Sequence, residues 1–259
     1  MKKLISTFSL IILAMVMFGQ GQPASWSGAA GVKASHHENA PKSNAPTLLP
    51  SGSLLWSQLP ACSAIGSSEI MSAYDLVTNS ADNFMFTSAK DVTSVLWYFG
   101  IYNGTYSPFT TWNITIYNNA TCLPSNIVQQ WTIPFSMSHE SLHCLDSYYM
   151  YWADLTPAFT AAANTEYWIS VQTGDHVFNG QWGWEMATAI NGCPAAFQSA
   201  YFGFPNYVNG AQVFGYDSDF AFDLYGTDAV PQTPISNWAL FIGIGLILVF
   251  TVIRFRRIL

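Results

Sequence analysis

From about Ser53 to Thr227 the apolar residues recur with a period of two, and no long stretch shows a helical period. That spacing sends alternate side chains to opposite faces of an extended chain, so it predicts strands. In "WNITIYNN", Trp112, Ile114 and Ile116 share one face, and Asn113, Thr115 and Tyr117 take the other. "TEYWISVQT" groups Tyr167, Ile169 and Val171 opposite Trp168, Ser170 and Gln172, and "SDFAFDLYG" groups Phe220, Phe222 and Leu224 opposite Asp219, Ala221 and Asp223. "NFMFTS", "TSVLWYFGIY", "VQQWTIPF", "YYMYWADL", "WGWEMA", "SAYFGF" and "AQVFGY" read as further strands, separated by Gly, Asn and Pro. "TPAFTAAANTEY" has room for one helical turn at most. Eight to ten short strands in one domain predict an all-β fold, an antiparallel, jelly-roll-like β-sandwich.

The two ends carry different signals. Lys2 and Lys3 precede an apolar run from Leu4 to Phe18 and then Gly19 and Gly21, the pattern of a secretory signal peptide over residues 1–21. Residues 22–52, rich in Ala, Ser, Gly and Pro, read as a flexible leader. The sandwich is expected over 53–228 and a linker over 229–237. From Ala239 to Ile253 no residue is charged. With Trp238 as an interfacial anchor and Arg254, Arg256 and Arg257 as a basic stop, residues 238–259 predict one transmembrane helix whose arginines stay cytoplasmic.

Between these ends charge is scarce. From Ser43 to Ile253 the only basic residue is Lys90, against fourteen Asp and Glu. Such a surface cannot neutralise phosphates, which excludes nucleic acid and anionic lipid as partners of the domain.

The pieces "VTSVLWYFGIYNG", "WNITIYNNATCLPSNIV", "YMYWADLTPAFTAAANTEYWISVQ", "QWGWEM" and "DFAFDLYGT" follow one another in an order that resembles a β-sandwich domain of exported proteins of Gram-negative bacteria. The tail, with Pro234, Ile235, Ser236, Asn237 and Trp238 before the apolar segment and the arginines after it, is similar to the tripartite PEP-CTERM and IPTL-CTERM sorting signals. It has one residue fewer than the IPTL pattern between Pro and Ser, and Ala239 where Gly is expected. The resemblance implies passage through the inner membrane, a processing membrane protease as partner, and a final place in the cell envelope or at the cell surface.

Four features are candidates for chemistry. His139-Glu140-Ser141-Leu142-His143 matches HExxH, in which a helix sets two histidines one turn apart on a zinc ion with the Glu as base. With Pro134 upstream and strand-like "YYMYWADL" downstream, little helix fits here, and a polar hairpin loop ending at Cys144 is the expectation. Asp217, Asp219 and Asp223 are expected to face solvent, where they form either a hydrated surface or a calcium set. Trp182 and Trp184, at i and i+2, with Tyr201 and Tyr207, supply either core or a stacking platform for a sugar. Cys62, Cys122, Cys144 and Cys193 are even in number and exported, which favours two disulfides. Proximity in sequence predicts Cys122 with Cys144 and Cys62 with Cys193. The expectation from the sequence is thus an exported, non-enzymatic β-sandwich with an adhesive, structural or glycan-binding role and no required cofactor. A zinc-dependent hydrolase built on HESLH is the alternative.

Overall fold

The structure, a computed structural model, describes residues 30–32, 50–104, 107–143, 148–177 and 179–229. The signal peptide, the sorting motif Pro234–Trp238, the apolar tail and Arg254, Arg256 and Arg257 lie outside the described residues. Among the described residues no helix is long and apolar enough to cross a membrane. The strands are β1 (Ala30–Val32), β2 (Ser53–Gln58), β3 (Pro60–Ser67), β4 (Ile70–Met71), β5 (Leu76–Val77), β6 (Asn79–Met85), β7 (Lys90–Tyr102) and β8 (Thr111–Asn119). There follow β9 (Pro124–Pro134), β10 (His139–His143), β11 (Tyr148–Ala161), β12 (Glu166–Thr173), β13 (Gln181–Ala187), β14 (Ala196–Ser199), β15 (Phe204–Asn209), a short helix α1 (Ala211–Phe214) and β16 (Phe222–Asp228).

These strands form two large antiparallel sheets. One runs β1-β3-β13-β7-β11-β10, with β16 bridging β7 to β2; the other runs β15-β14-β6-β12-β8-β9. The fold is all-β, as the period-two pattern predicts. The faces match as well. Trp112, Ile114 and Ile116 of β8, Tyr167, Ile169 and Val171 of β12, and Phe222 and Leu224 of β16 all enter one core shared by both sheets. On β7, Val95, Trp97, Phe99 and Ile101 enter that core, whereas Leu96 and Tyr98 join a smaller cluster with Trp152 and Ala221.

Trp112 is the hub between the sheets. Its ring lies 4.6 Å from Phe109, 4.8 Å from Tyr151, 5.0 Å from Phe99 and 5.1 Å from Trp97, centroid to centroid. Three of those four contacts are edge-on, the geometry that ring quadrupoles favour.

Several expectations are corrected. "AQVFGY" is not a strand: Ala211–Phe214 is helical and ends at Gly215, whose φ of 81° closes the turn in the left-handed region. "TPAFTA" is not a helical turn, because β11 continues to Ala161 and pairs with β7 again after a bulge between Asp154 and Phe159. Ala30–Val32, within the expected leader, pairs antiparallel with β3. The disulfide joins Cys122 to Cys193, 71 residues apart, so neither expected pairing holds. Cys62 is also disulfide-bonded, and Cys144 lies outside the described residues. The fold places the turn between β8 and β9 beside the loop after β13, a neighbourhood invisible to sequence distance.

Trp112→Ala will lower the unfolding free energy by about 3–5 kcal/mol, because it empties a site ringed by four aromatic side chains. Denaturant titration of the folded domain measures this, and a loss below about 1 kcal/mol would remove Trp112 from its central position.

Candidate functional site

HESLH forms β10, a strand rather than a loop or a helix, and pairs residue by residue with β11 from His139↔Trp152 to His143↔Tyr148. In a helix the two histidines would be about 6 Å apart along the axis. In a strand they stand about 13 Å apart, so the one-turn spacing on which the zinc motif depends is not present.

Trp182 and Trp184 point the same way, as expected, but into the core, where both are fully buried. Their indole N–H groups donate to the Ser107 and Ala221 carbonyls, each at 2.8 Å. Neither is a stacking platform. Tyr207 is half-buried, and its hydroxyl donates to that of Tyr117 at 3.2 Å; Tyr201 is half-buried against Phe202.

The acidic trio also departs from expectation. Asp217 is exposed, but Asp219 and Asp223 are buried, and among the described residues no three His, Cys, Asp or Glu side chains gather as a metal site. Asp219 instead approaches Asp82 of β6, whose position faces the core two residues before Phe84. The Nε2 of Gln58 donates to both carboxylates at 3.1 Å, and the Oε1 of Gln58 is fixed by the Trp56 indole N–H at 2.7 Å. The Phe220 N–H donates to Asp82, and the Asn191 N–H to Asp219. Burial, reinforced by the charge of Asp219, pushes the Asp82 carboxyl well above the usual range. Burial likewise pushes Asp219 up to about 7 and Glu185, which accepts from the Cys62 N–H, up to about 8.

A second buried network was not legible in sequence. The Oγ of Ser107 lies 2.9 Å from His176 Nδ1, and His176 Nε2 lies 3.1 Å from Glu69 Oε2. Glu69 also accepts from the Trp182 N–H at 2.7 Å and from Gln181 Nε2 at 3.1 Å. The order of groups is that of a hydrolytic relay, but Ser107 is fully buried and donates to the Val177 carbonyl. These bonds hold the 107–109 and 174–177 loops onto the β3–β4 turn and β13.

An open concavity lies elsewhere, between β9, the edge of the six-stranded sheet, and the bulge of β11. Pro157 cannot donate to a ladder, so the strand leaves β7 around it. The freed Pro157 carbonyl accepts from Trp131 Nε1 at 3.0 Å and Gln129 Nε2 at 3.2 Å, which ties the bulge to β9. The resulting groove has a volume of about 520 Å³ and is lined by Gln130, Thr132, Asp154 and Thr156 among the apolar surfaces of Trp131, Ile133 and two prolines. Ser94 holds the Asp154 carboxylate with a hydrogen bond of 2.6 Å. Lys90, the only Lys or Arg among the described residues, is paired with Asp228. A sequence signal for this groove exists: a proline inside an otherwise regular strand.

A two-sheet antiparallel fold with an open, uncharged-to-acidic groove on one edge defines the class of this chain. No family model matches it, and no curated protein matches it.

The buried acids set a direction for pH. An acid whose folded pKa is raised binds its proton more tightly when folded. Its stabilising contribution is therefore complete below about pH 4 and is lost as pH rises through the folded value, about 7 for Asp219 and about 8 for Glu185. The melting temperature will be roughly 5 °C or more lower at pH 8.5 than at pH 5. Asp219→Asn will flatten part of that slope; a melting temperature that rises over this interval contradicts the assignment.

Proposed function

We propose that this chain is an exported, surface-destined, non-enzymatic protein whose jelly-roll-like β-sandwich has an adhesive, structural or glycan-binding role, and that an uncharged glycan lies in the β9–β11 groove. The observation that carries the reading is the groove lining. Two hydroxyls, an amide and a carboxylate stand among apolar surfaces, the mixture that hydroxyl-rich rings need, and no free cation is at hand among the described residues to favour an anion. Export is supported by the N-terminal signal pattern and by the Cys122–Cys193 disulfide, which persists in an oxidising compartment. The tail supports delivery to the envelope: a sorting protease recognises Pro234–Trp238, and the apolar segment with Arg254, Arg256 and Arg257 holds the protein at the inner membrane until processing.

A glycan array probed with the purified exported protein will show binding to neutral oligosaccharides. The double variant Gln130→Ala, Asp154→Asn will weaken it by about tenfold or more. Both residues are at the surface, so the variant should keep its fold, with a stability change near 0.5 kcal/mol. Unchanged glycan binding in the folded variant removes the groove from the account, and an empty array removes the glycan.

A further inference from the structure

A second concavity, of about 380 Å³, lies away from the β9–β11 groove. It is formed where β13 ends, by Met186 to Ile190, and by the stretch Tyr216 to Ser218, with Ser63 of β3 on its wall. Its chemistry is one-sided. Asp217 is exposed at the rim. Ser218 lines the groove with 6% of its surface exposed, and its buried Oγ has no hydrogen-bond partner among the described residues. Directly after it in the chain, Asp219 is 1% exposed, and the charge of Asp217 acts on it. Glu185 of β13 is buried one residue before Met186. Among the described residues no Lys or Arg answers these acids, because Lys90 is spent on Asp228.

Such a place attracts a cation, and the remaining lining decides which kind. A calcium ion takes six to eight oxygens, and no group of three acidic, His or Cys side chains gathers among the described residues. A primary ammonium asks for only three acceptors. Its alkyl stem needs apolar surface, which Met186 and the exposed Ile190 supply. Tyr216 stands half-exposed at the rim, its ring fixed by a hydrogen bond of 3.1 Å from its hydroxyl to Met186 Sδ, and an aromatic face beside a carboxylate favours a cation further.

We propose that the groove bounded by Tyr216, Asp217 and Ser218 binds a primary alkylammonium group, with Asp217 as its counter-ion, Ser218 as an added acceptor and Met186 and Ile190 along its stem. A free diamine and a lysine side chain share this chemistry. Ammonium binding and proton release are linked: a cation placed here favours the ionised form of Asp219, whose carboxyl burial pushes up to about 7, so binding will strengthen from pH 5.5 to pH 8. The site is independent of the proposed glycan groove, and its failure leaves that groove untouched.

The test is calorimetric titration of the intact protein with cadaverine and, separately, with Nα-acetyl-lysine amide, using 1,5-pentanediol as the uncharged control. We expect saturable binding of an amine and none of the diol. Asp217→Asn should lose about tenfold or more in affinity, Tyr216→Ala a smaller factor, and the distant surface change Asp75→Asn nothing. Binding of cadaverine alone marks a free amine as the occupant, and binding of the amide marks a lysine-bearing partner. Absence of saturable binding by either amine, or binding that a folded Asp217→Asn variant retains in full, overturns the proposal.

Discussion

Five carboxylates, those of Glu69, Asp82, Glu185, Asp219 and Asp223, are buried in a domain whose described residues include a single lysine, and that lysine is elsewhere. A buried carboxylate without a cation must be met by hydrogen-bond donors or must keep its proton. This chain does both. Glu69 is met by a backbone N–H, an amide and an imidazole, and in being met it gathers the β3–β4 turn, β13 and the loop that carries His176. Asp82 and Asp219 share Gln58 and accept from the backbone N–H groups of Phe220, Asn83 and Asn191, and so join β2, β6 and the approach to β16. The sheets are packed by aromatic rings, but their strand ends and loops are pinned by buried acids that accept hydrogen bonds or hold their protons more tightly than an exposed acid would.

The same constraint explains which parts of the fold could be read in advance. The alternation in β8 and β12 survives intact because both faces of those strands are set by the pleat and by local residue type. Asp223 lies on the side of β16 opposite Phe222 and Leu224, as the alternation demands. That side is covered by other elements rather than by water, and the covering is a tertiary fact that no local pattern carries. Trp182 and Trp184 show the converse: period two told which residues share a side, not which side is the core. HESLH became a strand because β11 offers it a ladder, overriding a five-residue pattern whose meaning depends on a helix. Cys122 met Cys193 because the sheet order, not the spacing, brings the β8–β9 turn beside the loop after β13.

The β9–β11 groove and the concavity at the end of β13 arise from the same scarcity of positive charge among the described residues. One is built around a proline that breaks a ladder and leaves a carbonyl to bridge the sheets, and it presents hydroxyl, amide and carboxylate groups without a cation. The other sits over the buried acids and presents a carboxylate, a hydroxyl and a tyrosine rim. Neither offers a positive charge, which sets both apart from a phosphate or nucleic-acid surface. Surfaces of this kind suit neutral or cationic partners.

The central claim, that strand ends of the two sheets are pinned by acids whose burial raises their proton affinity, is tested most directly by following the side-chain carboxyl carbons of Asp82 and Asp219 by NMR from pH 3 to pH 9. The account predicts that Asp219 titrates near pH 7 and that Asp82 remains protonated well above the ordinary aspartate range, the two curves interacting. Two independent titrations near pH 4 would mean that both carboxylates are ionised across the neutral range, and would contradict it.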